Sequence, residues 1–120
     1  ITKNATASTR RVINSLFAGE IKPLYNDEII EEYSEVLHRS KFHLADKDIQ
    51  RLLYFIQTNG IDSSRFPYDG DMPDEDDRVF YEVVLSEEDS FLVTGNLKHF
   101  PKTPKVVTAA KMMEILDHEE

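Results

Sequence analysis

The chain has no cysteine, no tryptophan and only four glycines in 120 residues, and no apolar stretch in it is long. The missing cysteine excludes a disulfide framework, a thiolate nucleophile and any cysteine-based zinc site, and is compatible with a reducing compartment. No run approaches the roughly 18 apolar residues of a membrane-spanning helix, and nothing at the start has the charged-then-apolar form of a signal peptide. A cytoplasmic protein with no membrane partner is the expectation. Positive charge is also scarce: 14 Lys and Arg stand against 23 Asp and Glu, a formal net charge of -9. That balance argues against nucleic acid, whose phosphates are bound mainly by Lys and Arg. The length and the 40% hydrophobic content suit one ordinary domain with its own core.

The charge is segregated, which changes its meaning. Acids crowd into Asp27 to Glu35 and Asp69 to Asp89, whereas Ile1 to Asn26 carries Lys3, Arg10, Arg11 and Lys22 against Glu20 alone. From Leu97 to Met113 there are Lys98, Lys102, Lys105 and Lys111 and no acid. An acidic centre with a basic rim fits this pattern, and so do the solvated faces of a soluble protein.

Taken in order, Ile1 to Ala7 reads as an irregular lead-in. Ser8 or Thr9 then caps a helix with Val12, Ile13, Leu16 and Phe17 on one face and Gly19 as its left-handed terminator. Ile21 to Tyr25 reads as a short strand. Asn26 caps a helix from Asp27 to about Arg39, with acids in its first turn, where the helix dipole favours them. At about 100° per residue, Ile29, Ile30, Tyr33, Val36 and Leu37 share one arc. Glu32 lies at the edge of that arc, so it is the acid of this helix carried nearest a cleft; a solvated flank is the bland alternative. Asp46 to about Thr58 forms a further helix on Ile49, Leu52, Leu53 and Ile56, stopping at Gly60. His38 and His43 lack spaced partners for a zinc set and read as surface residues. Ile61 to Gly70 reads as a loop or a weak strand around Phe66.

The most informative stretch runs from Met72 to Pro101, MPDEDDRVFYEVVLSEEDSFLVTGNLKHFP. Asp74 as N-cap with Asp77 three residues on is a capping box in type, so these acids have a purely structural explanation. The helical wheel nevertheless places Asp77 above the apolar face of Phe80, Tyr81, Val84 and Leu85, with Arg78 and Glu82 pointing outward. A carboxylate so placed has to be paired, protonated or bound to a cation. Phe91 to Thr94 reads as a strand covered on both faces, ending in the turn Gly95-Asn96, where α/β proteins collect ligands. Asn96 could orient a water or meet a phosphate, or serve only as a turn residue. Lys105 to Thr108 is a last strand, followed by a helix on Met112, Met113, Ile115 and Leu116. Helices alternating with short apolar strands imply an α/β fold with a parallel sheet.

Three motifs in order, NDEIIEEYSEVLHRSKF, MPDEDDRVFYEVVL and FLVTGNLKHFP, make the chain resemble a PIN-domain protein of the bacterial branch that supplies toxins of toxin-antitoxin systems. The resemblance implies a three-layer α/β/α fold with a central parallel sheet. It also implies a nuclease whose acids hold Mg²⁺ or Mn²⁺ and activate water against an RNA phosphodiester, a cognate antitoxin as partner, and common dimerisation. The family's helix acid falls on Glu32, and its acid at the next helix on Asp77, with Asp74 as an accessory carboxylate and metal neighbour. Its last acid is replaced here by Asn96. Arg11, Lys98 and Lys102 are the candidate RNA phosphate contacts. The family's first strand, with its aspartate, has no counterpart in the chain. Ile1 is also not a residue that normally follows a removed initiator methionine, so an N-terminally incomplete single domain is expected. A degenerate PIN domain that binds RNA or protein without cutting is the main alternative. A phospho-acceptor receiver domain is a distant third, because the paired acids Asp76 and Asp77 come late in the chain.

Overall fold

The computed structural model describes residues 7–118, so the lead-in and any strand before it lie outside the described residues. Helix α1 (Ala7–Phe17) ends as its sequence dictates. Gly19 takes φ +81, the left-handed region that a residue with a Cβ resists. The N–H of Gly19 donates to Leu16 O and that of Glu20 to Ser15 O, closing a Schellman motif. Strand β1 (Leu24–Tyr25) leads into α2 (Asp27–Leu37), where the Asn26 side chain accepts from Ile29 N at 2.9 Å. Helix α3 (Asp46–Asn59) follows. At Gly60 an added Cβ would stand 2.5 Å from Ile56 O and 2.6 Å from Pro23 O. Only glycine lets the chain leave α3 and lay β2 (Ile61–Asp62) beside β1. Then come α4 (Arg78–Ser86), β3 (Leu92–Val93), β4 (Val106–Val107) and α5 (Ala109–Asp117), the last capped by Thr108.

The α/β class stands, but a single central sheet does not form among the described residues. Strands β1 and β2 pair in parallel, as do β3 and β4, giving two separate two-stranded ladders. Between them lies a cleft of about 780 Å³, lined by Leu24, Phe91 and Val93 at the ladder edges, Val83 of α4, and Leu16 and Leu116 of α1 and α5. In the β1–β2 ladder, Ile61 N–H donates to Pro23 O and Ser63 N–H to Tyr25 O, which turns the backbone of Leu24 away from β2. By the same logic Leu92 and Thr94 bond toward β4, and the backbone of Val93 is turned away from it. Val93 is exposed, so the strand expected to be covered on both faces is not.

Among the described residues, two core clusters meet on α4. Ile29, Val79 and Val83 form one cluster with Tyr33 and Phe80 against it; Tyr81, Val84 and Val106 form the other with Leu85 and Leu92. Three expectations are corrected. Phe17 is exposed and instead meets Phe55 with ring centroids 4.9 Å apart, while Ser15 is the buried residue of α1. The weak strand lies at Ile61–Asp62, and Phe66 is exposed. Glu82 is buried and Arg78 half-buried, because residues 63–70 fold across the side of α4 that a lone helix would show to solvent.

Candidate acidic site

Asp77 closes a short 3₁₀ turn, Glu75–Asp77, that feeds directly into α4. Asp74 caps this turn, but not as a capping box. Its Oδ1 accepts from Asp76 N at 2.9 Å and its carbonyl from Asp77 N at 3.1 Å, and the Asp77 side chain makes no capping hydrogen bond. That carboxylate is therefore left for other work, at 26% exposure and 3.7 Å from His99 Nδ1. Burial raises the Asp77 pKa, as do the charges of Asp74 and Asp76, while His99 lowers it.

His99 and Asn96 come from the 3₁₀ turn after β3. Asn96 Nδ2 lies 3.0 Å from His99 Nε2, and Asn96 N–H donates to Thr94 Oγ1 at 3.1 Å. With the Asn96 amide donating to Nε2, the ring proton of a neutral His99 sits on Nδ1, facing Asp77. Lys98 is exposed on the same turn, and Lys102 is exposed just beyond it.

Glu32 sits in the second turn of α2, half-buried. Its pKa is raised by burial first, then by Asp76 and Glu35, with Arg39 lowering it and Asp77 adding a last, smaller push upward. Asp77 is thus one of the acids whose charge reaches Glu32. Helices α2 and α4 both follow parallel strands, so Glu32 and Asp77 lie toward the carboxyl ends of β1 and β2, and Asn96 toward that of β3. Arg11 stands apart from this group: it pairs with Asp117 at 3.3 Å, tying α1 to α5. His38 is exposed as expected but has a partner, Asp46 at 2.7 Å, which raises its pKa.

Sequence reasoning missed His99, which meets Asp77 only through the tertiary fold; the Asn-x-x-His spacing on one turn was its only local signal. It also missed the strap over α4. Glu82 Oε1 accepts from Arg65 Nε at 2.7 Å and Oε2 from Tyr68 N at 2.8 Å. Arg78 donates to Tyr68 O at 2.6 Å and pairs with Glu75.

An α/β protein with Glu32 on α2, Asp77 at the start of α4 and the Asn96–His99 turn beside Asp77 is what these elements define. A family model described as the PIN domain matches residues 1–98, and the chain belongs to the PIN-domain family. PIN domains are generally nucleases and typically use divalent metal ions. No match was found among curated proteins or solved structures.

The donors suit a hard divalent ion in kind. Glu32 and Asp77 are oxygen donors held at raised pKa by burial and by other acids, a state that a cation relieves. In number they are few: among the described residues, no group of three or more His, Asp or Glu side chains is placed to hold one ion.

Proposed function

We propose that this chain is a Mg²⁺- or Mn²⁺-dependent endoribonuclease, acting as the toxin of a toxin-antitoxin pair in the bacterial cytoplasm. The observation that carries the reading is the pair Glu32 and Asp77. They come from two helices, are raised in pKa by burial and neighbouring acids, and stand in a chain of the PIN family. When bound, the divalent ion would supply a water of lowered pKa and offset charge on the phosphate. Glu32 and Asp77 would hold it, with Asp74 close by as an accessory carboxylate. Asn96, whose Nδ2 faces His99, offers its amide oxygen to position a water, and Lys98 and Lys102 would line the approach for an RNA backbone, with Arg11 as a more distant contact. Among the described residues no helix is long and apolar enough to cross a membrane.

The same proposal treats the chain as one PIN domain whose sheet is completed by a preceding strand. The cleft between two parallel ladders, with backbone edges facing it from both sides, supports that reading. Asp77→Asn and Glu32→Gln should each abolish RNA cleavage while leaving the circular dichroism spectrum unchanged; cleavage that persists in both overturns the site. Calorimetry with Mg²⁺ and Mn²⁺ should show tighter binding for a chain extended upstream through that strand.

One observation favours a second reading, a PIN domain that binds RNA or protein without cutting. Asn96 brings no charge and its amide is engaged by His99. RNA retention unaffected by chelator, with no product in either metal, would select it.

A further inference from the structure

Helices α2 and α4 pack through Ile29, Val79 and Val83 and through the rings of Tyr33 and Phe80, 5.6 Å apart. Apolar contact of this kind fixes a distance between helices but is non-directional, and leaves their axial register loosely defined. A directional link crosses the same seam. Arg65, from the loop after β2, donates through Nε to Glu82 of α4 and through Nη1 to Glu28 of α2, both at 2.7 Å. Glu28 lies one turn before Glu32 on α2. Glu82 lies five residues after Asp77, on the helix that Asp77 opens. The loop is itself pinned, since Phe66 N–H donates to Glu82 O and Tyr68 N–H to the Glu82 carboxylate.

We propose that Arg65 is a positioning residue that sets the register of α2 against α4 and so the gap between Glu32 and Asp77. This rests on the metal-nuclease reading only for its consequence; the register itself is a property of the chain alone. The fork of the guanidinium matters, because two nitrogens set apart on one rigid plane reach two carboxylates in fixed directions, whereas an ammonium offers one rotatable point of contact for both.

The test uses the absence of cysteine. Spin labels at Glu31→Cys and Pro73→Cys, both exposed positions, report the separation of α2 from the turn that carries Asp77, with no metal added. Glu28→Ala cuts the link at its exposed end and leaves the buried Glu82 paired. Arg65→Lys keeps the charge and loses the fork. Both should broaden and shift the label distance relative to the parent, with helical content retained. Asp27→Ala, exposed in the same helical turn, should change nothing. Mn²⁺ affinity, measured in parallel, should fall about tenfold in Glu28→Ala and Arg65→Lys, the low end for loss of a partner that orients ligands. An unchanged label distance in both variants overturns the proposal, as does an Arg65→Lys protein indistinguishable from the parent, which would make Arg65 a counter-charge only. A parent chain that binds no Mn²⁺ while its variants still shift the label distance refutes the metal site and leaves the register role standing.

Discussion

Glu82 offers the sharpest energetic test of the fold. Its carboxylate is 9% exposed and both oxygens are taken, one by Arg65 Nε and one by Tyr68 N–H. Glu82→Ala strands a guanidinium and a backbone donor beneath the loop. Removing one member of a fully buried pair costs about 3–5 kcal/mol. Here Arg65 retains Glu28 and is 32% exposed, so solvent recovers part of the loss and about 2–3 kcal/mol is expected. At about 3–6 °C per kcal/mol for a domain of this size, Tm should fall by about 10 °C. Glu82→Gln, which can keep the Tyr68 contact, should cost about half as much. The pH profile supplies an independent check. Burial raises the Glu82 pKa, but the Tyr68 N–H and the Arg65 charge outweigh it and hold the group below the ordinary glutamate range. A lowered folded pKa means the contribution is fully present above the unfolded value and lost as pH falls through the folded one. Urea titrations across the acid range should therefore show a steeper loss in the parent than in Glu82→Ala. A variant within about 0.5 kcal/mol of the parent, the range of ordinary surface changes, would refute the reading of Glu82 as a buried anchor.

Asp77 should behave in the opposite sense. Its folded pKa is raised, so ionisation weighs against the fold above the ordinary aspartate range, and Asp77→Asn should raise Tm at neutral pH by differential scanning calorimetry while removing cleavage. Gly60→Ala should destabilise by about 1–3 kcal/mol in urea, because its Cβ would meet two backbone oxygens that cannot move aside.

Two helix ends were legible because their signals are local. Asn26 and Gly19 act on donors and acceptors within a few residues, so residue type and spacing identify them, whereas Thr108, read as the end of a strand, caps α5. The half-buried placement of Glu32 and Asp77 was legible for a related reason: a helical wheel finds acids at the edge of an apolar face. The wheel failed at Glu82 and Arg78, because it describes one helix in isolation and the burial there comes from residues 63–70 laid over it. His99 was invisible on the same grounds, since its approach to Asp77 spans two elements with no sequence pattern between them. Phe91 to Thr94 was recognised as a strand, but its apolar run could not show that one edge faces a cleft and leaves Val93 exposed.

That cleft also bears on how the protein behaves in a crowded solution. Strand edges with unpaired backbone groups are templates for pairing with other chains. Glu20, Glu87, Glu88 and Asp89 line the same cleft with Lys22, an excess of acid around an apolar throat. A second molecule offering its own edge would bring the same acids with it, and like charges would repel before the strands could meet. Where no preceding strand fills the cleft, the excess of acid that first argued against nucleic acid thus has a colloidal role: at high salt, where this repulsion is screened, the ladder edges become adhesive.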